Sequence, residues 1–290
     1  LVSKLLPQIE TSHVWPIANL FTDSTLVGVL ACNLIKKKSV SLASLSAEED
    51  IKGRIIASFT DELSGKIASK LNIDFIQKIL NYISGLAPIF YDEKRIDPQF
   101  ISATGEKESD VNECIADLLY SGVLVERGGR VRISPDVLSD CILEAACYLK
   151  DDSPSDYFKD LFEKVDGKLR SNLLKNISEL DWRKKKAELT SSTLLSNFWK
   201  KFKDTSRDDL AKLENKLEIL KSIAYYQPIE SYESLLSATS TLSKVSHDNR
   251  DYRFNSCINS IVEICRDIIL AGYKVEELMM TMWNLGQGDF

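Results

Sequence analysis

The chain has 290 residues, a formal net charge of −6 and 44% hydrophobic residues. That length supplies two or three cores rather than one, and no apolar run approaches the roughly 20 residues a membrane span requires. The acid excess argues against a dedicated nucleic-acid binder, whose domain is usually basic.

Residues 1–70 read as helices, and both chain ends read as cuts through a longer polypeptide. Leu26, Val29, Leu30, Leu34 and Ile35 recur at helical spacing, and Lys36-Lys37-Lys38 supply cations suited to a helix C-terminus. Ser46-Ala47-Glu48-Glu49 resembles a capping box, and Ile51, Ile55, Ile56, Phe59 and Leu63 carry the helical face that follows it.

Residues 71–148 hold a different pattern. Phe75, Ile76, Ile79, Leu80, Ile83 and Leu86 predict a first helix that Pro88 interrupts, and a short second helix is expected around Asp97–Thr104. Val111, Cys114, Ile115, Leu118 and Leu119 predict a third, stopped by Gly122 as a C′ residue. Val123, Val125, Val131 and Ile133 then alternate with Leu124, Glu126, Arg130 and Arg132, the period-two pattern of a half-buried ribbon with Val125 on its inner side. Gly128-Gly129 supplies the positive φ that a two-residue hairpin turn needs. Ser134 and Pro135 open a further helix of Val137, Leu138, Cys141, Ile142 and Ala145. Helices followed by such a hairpin predict a winged-helix domain.

Residues 149–206 read as a helical linker. Tyr157, Leu161, Phe162 and Val165 mark one helix; Leu169, Leu173, Leu174, Ile177 and Leu180 mark the next. Basic clusters fall at Lys184–Lys186 and Lys200–Lys203, the second interleaved with Trp199 and Phe202, and solvated helix faces account for both. Asp181-Trp182-Arg183 at a helix end suggests an aromatic anchor, with Trp182 packed between linker and winged helix. Residues 207–290 read as paired, repeat-like helices. One carries Leu210, Leu213, Leu217, Leu220 and Ile223; another Ile258, Ile261, Val262, Cys265 and Ile268; the last Val275, Leu278, Met279 and Trp283. The fold class expected is therefore mainly α, with a small β-hairpin in a winged-helix domain and solenoid-like helix pairs after it.

Catalytic patterns are missing. There is no GxxxxGK(S/T) loop and no GxGxxG after a strand, so no stretch cradles a nucleotide phosphate by the usual means. The two histidines, His13 and His247, have no serine, cysteine or carboxylate arrangement around them that suggests general-base work. The six cysteines form no CxxC pair and no Cys/His cluster, so they read as reduced core residues of a cytosolic protein rather than metal ligands. No catalytic, cofactor-binding or metal site is expected. The candidate interaction residues are Arg127, Arg130 and Arg132 on the hairpin, and Trp182.

Several runs resemble the middle of a STAND-type NTPase, a signal-transduction ATPase with numerous domains, and in particular bacterial members linked to anti-phage defence. TLVGVLACNLIKKKSVSLASL (25–45), with the FxDEL run at Phe59–Leu63, resembles the helical lid after the ATPase core. LLYSGVLVERGGRVRISPDVLSDCILE (118–144) is similar to that family's winged helix, and LRSNLLKNISELDWR (169–183) to the linker leading into sensor repeats. IVEICRDIILAGYKVEELMMTMWNLGQGD (261–289) resembles the start of such repeats. Two family features have no counterpart. Thr22-Asp23-Ser24-Thr25 stands where a Gly-x-Pro element of the lid would fall, and no histidine lies between 73 and 144 to reach a bound ADP.

The resemblance implies a non-catalytic regulatory and interaction segment that couples nucleotide state to ligand sensing. Its partners would be an N-terminal ATPase core carrying ATP and magnesium, a sensed protein and further copies of itself, in the cytoplasm. Two other readings stand beside it. One is a winged-helix DNA-binding regulator whose hairpin arginines, helped by Lys107, touch phosphates; Asp110, Glu113 and Asp117 on the preceding helix oppose its entry into a groove. The other is a free-standing adaptor of helical repeats.

Overall fold

The computed structural model describes residues 2–10, 14–15, 17–18, 32, 35–36, 72–134, 136–149, 151, 153–185, 193–203, 210–242 and 252–287. The chain divides into two compact units, Leu1–Ala146 and Cys147–Phe290. Apart from Cys32, Ile35 and Lys36, the lid-like run 25–63 lies outside the described residues, as do His13, Pro135 and His247. The fold is mainly helical with one small antiparallel sheet, and no helix among the described residues is long and apolar enough to cross a membrane.

The first unit contains a short helix, α1 (Val2–Leu5), and then α2 (Ile73–Leu86). Asn72 caps α2 by accepting from the Asp74 amide at 2.9 Å, and the helix buries Ile76, Ile79, Leu80, Ile83 and Leu86 of the expected stripe, with Phe75 half-buried at its start. It stops at Ala87, whose extended backbone suits a residue preceding proline.

Two strands follow that the sequence reading does not anticipate: β1 (Ile89–Asp92) and β2 (Arg95–Ile96). They are joined through Glu93 and Lys94, at φ of 45° and 65°. A type I′ two-residue turn needs positive φ at both positions, and here it is made without glycine or asparagine. Asp97 then caps α3 (Pro98–Thr104), accepting from the Gln99 amide at 2.8 Å with Pro98 in the first turn.

α4 (Glu108–Tyr120) buries Val111, Cys114, Ile115 and Leu118. It ends in a Schellman motif: Val123 N–H donates to the Leu118 carbonyl at 3.0 Å and Gly122 N–H to Leu119 at 3.1 Å, with Gly122 at φ 76°. β3 (Leu124–Glu126) and β4 (Arg130–Ile133) complete a sheet of order β2-β1-β4-β3. Gly128 and Gly129 turn the hairpin at φ of 59° and 67°, closed by Arg127 N–H on the Arg130 carbonyl at 2.9 Å. The phase of β3 is opposite to the expected one: Leu124 pairs with Ile133 on the buried face, and Val125 sits beside Arg132 on the other. Val123, also buried, precedes the strand and belongs to the helix cap. α5 (Asp136–Cys147) buries Leu138, Ile142, Leu143 and Cys147.

Among its described residues the second unit is helical apart from a bridge between Tyr148 and Pro154. Its helices are α6 (Tyr157–Lys164), α7 (Gly167–Lys184), α8 (Ser196–Lys203), α9 (Leu210–Ile223), α10 (Pro228–Leu242), α11 (Tyr252–Leu270) and α12 (Val275–Gln287). α9 packs along α7 and α11, so the linker-like and repeat-like regions share one core of Leu173, Ile177, Leu217, Leu220, Ile261 and Ile264. In α11 the buried stripe runs Cys257, Ile261, Ile264, Cys265, Ile268, leaving Ile258 and Val262 at its flank. α12 buries only Leu278 of its expected stripe; Met279 and Trp283 are exposed by 60% and 66% and Val275 by 37%.

Candidate interaction surface

The three hairpin arginines stand together. β4 alternates exposed and buried, putting Arg130 and Arg132 on one face and Val131 and Ile133 on the other. Phe90 of β1 lies opposite Arg130, and Val125 of β3 lies opposite Arg132. Arg127 faces Arg130 across the glycine turn, a like-charge pair that disfavours the hairpin. Among the described residues, Arg132 alone of the three has a carboxylate within reach: Asp136, at 3.5 Å and largely exposed. α2 packs on β4, and α4 on β2 and β3, over the apolar face. Tyr91 is buried on that side, where burial and then the Glu126 carboxylate push its phenol up. Its amide donates to the Gly129 carbonyl at 2.9 Å, tying one hairpin to the other.

Trp182 lies in the second unit. Its ring partners there are Tyr225 at 5.8 Å and Tyr226 at 6.0 Å, on the turn between α9 and α10. These contacts form an aromatic cluster inside the helical unit, with Trp182 half-buried. Sequence spacing placed Trp182 at a helix end but carried no information on a partner more than forty residues away.

The neighbour Asp181 is the residue that sequence reading passes over. It is fully buried, with 0% exposure. One carboxylate oxygen accepts from Thr193 Oγ1 at 2.7 Å and from the Thr193 and Leu194 amides at 3.3 and 3.2 Å. The other accepts from Gln227 Nε2 at 3.1 Å and pairs with Lys185 Nζ at 3.0 Å. Burial works to raise its pKa, but the hydrogen bonds of Thr193 and Gln227 together with Lys185 outweigh that and hold it below the ordinary value. With both oxygens engaged, Asp181 is a staple rather than a proton acceptor.

Tyr148 stands at the edge of this network. Burial pushes its phenol up to about 12, opposed by a hydrogen bond with Thr193, and Lys184 sits over its ring. The DWR run was the available signal for Asp181, but an acid beside an aromatic at a helix end reads equally well as exposed.

The other basic cluster proves amphipathic: Trp199 and Phe202 are buried while Lys200 and Lys201 face water. None of the six cysteines forms a disulfide, five of them are buried, and burial pushes Cys114 and Cys265 up to about 12. Such thiols are poor nucleophiles. Compared with known proteins, the chain matches no protein-family model, and neither the curated proteins nor the solved structures contain a match to it.

Proposed function

We propose that the chain is a regulatory and interaction segment of a STAND-type signalling ATPase, coupling nucleotide state to ligand sensing and self-association. One observation supports this reading above the others. From Ile73 to Cys147 the elements run helix, hairpin, helix, helix, hairpin, helix, the order of a winged helix, and the chain passes directly into an all-helical unit. That succession supports the part of the order that runs from winged helix to sensor helices, as the sequence runs 118–144, 169–183 and 261–289 suggest.

In this reading the winged helix is a packing module that closes on an ATPase core in the resting state. The helices after Cys147 form a sensor for a protein ligand, and activation is a hinge motion that frees an association surface. ATP and magnesium would be held by the core, in the cytoplasm, and no residue described above is assigned to them. The competing reading, a winged-helix DNA regulator, draws on the exposed arginines of β4. It is disfavoured because the groove-facing helix would be α4, whose exposed side carries Glu108, Asp110 and Glu113.

The test is the reading frame upstream of the codon for Leu1. A GxxxxGK(S/T) loop followed by an acidic strand end is expected there. With that region included, light scattering should give a larger particle in ATP and magnesium than in ADP. A frame without the loop, or a mass indifferent to nucleotide, overturns the proposal.

A further inference from the structure

The sheet of the first unit has one covered face and one open face, and the open one is chemically unusual for a chain of net charge −6. Phe90 is 54% exposed there, directly opposite Arg130. Arg132 follows two residues later on the same strand, and Arg127 faces Arg130 across the turn. Among the described residues no carboxylate pairs with Arg127 or Arg130, and the ion-pair partner of Arg132 is Asp136, at 3.5 Å and largely exposed. Two guanidiniums held opposite each other without a counter-charge are a standing repulsion, and an anion laid between them relieves it.

The acids of α4 do not interfere. α4 packs against β2 and β3 over the apolar side of the sheet, so Glu108, Asp110 and Glu113 lie away from the arginine face. Their repulsion bars a duplex from docking on α4, but not an anion from approaching the open face.

We propose that this open face binds single-stranded polynucleotide, its phosphates on Arg127, Arg130 and Arg132 and one unpaired base stacked on Phe90. Phe90 decides the class of ligand. A duplex offers phosphates to the arginines but keeps its base faces stacked inside, leaving the ring without a role. An acidic peptide satisfies the charges but brings no flat surface. An unpaired strand brings both, and a sheet with an exposed aromatic among cations is a stacking platform of this kind. The arginines are assigned to phosphates and Phe90 to a base face, so binding is expected to be indifferent to sequence. The inference goes beyond the proposed regulatory role and does not rest on it.

The experiment is fluorescence anisotropy on the whole 290-residue chain. The probe is a labelled oligothymidylate of about 12 nucleotides, within the usual span of such sites. The same length of duplex and a polyglutamate serve as competitors. Micromolar binding that weakens as salt rises is expected. Phe90→Ala should weaken the single strand by roughly 5- to 150-fold and leave duplex competition unchanged. Arg127→Gln with Arg130→Gln should weaken it too and flatten the salt dependence. Each side chain is exposed, so a urea midpoint that does not fall separates lost binding from lost folding. No binding at about 100 μM, a threshold far above the expected micromolar range, overturns the proposal. So does a duplex or a polyglutamate that competes better than the single strand, or a Phe90→Ala chain that binds as well as the parent.

Discussion

Asp181 is a buried carboxylate with donors on both oxygens, whereas Arg127 and Arg130 stand in water facing each other with no acid between them. Both are charged groups, one near the end of a helix and the other at a hairpin turn, treated in opposite ways. Inside the helical unit a charge is tolerated because the backbone of residues 193–194, a glutamine from another turn and a lysine of its own helix converge on it. On the sheet a charge is cheap in the presence of solvent, so nothing in the fold has to complete it. The lesson is that a fully satisfied ion reports on architecture, and an unsatisfied exposed cluster is where a partner is to be sought.

Removing Asp181 gives the largest expected effect. Asp181→Ala leaves Lys185 and several donors facing a void, and the loss of a buried partner of this kind runs to about 3–5 kcal/mol in a urea melt. A loss below about 1 kcal/mol would show the network to be dispensable. The same residue sets an acid limb. Its folded pKa lies below the ordinary 3.8, so the native state takes up this proton less readily than the unfolded chain does. The contribution is complete above the unfolded value and is lost as pH falls through the folded one. Tm followed from neutral pH to about pH 3 should fall less steeply in Asp181→Asn than in the parent. Parallel curves would place the titrating group elsewhere.

Trp182→Ala comes next, at about 2 kcal/mol. The ring is half-buried against Tyr225 and Tyr226, so it loses less than the 3–5 kcal/mol of a fully enclosed aromatic. A melt showing the full figure would mean that the cluster closes more tightly than its exposure implies. The smallest effect has the opposite sign. Arg127→Gln removes the repulsion across the glycine turn and should raise the midpoint by a few tenths of a kcal/mol, within the 0.2–1 range of cross-strand pairs. A fall instead would mean that Arg127 already has a stabilising partner.

How much of this was legible beforehand depends on distance along the chain. The stripe of α2, the cap of α3, the glycine stop of α4 and the Gly128-Gly129 turn are encoded within a few residues and emerge as expected. The first hairpin escaped because its turn residues, Glu93 and Lys94, are not the glycine or asparagine that usually mark positive φ. The phase of β3 was misjudged because Val123, Leu124 and Val125 are all apolar, and only the pairing of Leu124 with Ile133 decides which points inward. The spacing in α12 predicts a core stripe, yet spacing cannot say whether a partner is present, and Met279 and Trp283 are exposed. The arginines were visible as a cluster. Their relation to Phe90 was not, since it depends on β1 joining β4 across forty residues of chain.

The reach of Asp181 also bears on how the protein is made. Thr193 and Leu194 follow it within 13 positions, but Gln227 lies 46 residues further on. At ribosomal rates of about 5–20 residues per second, the carboxylate is exposed or half-satisfied for roughly 2–9 s after its own synthesis. The helix bearing it therefore cannot settle into its final packing as it emerges. α7 must wait for the turn between α9 and α10, so nascent chains shorter than that turn should be the ones that chaperones hold and proteases cut.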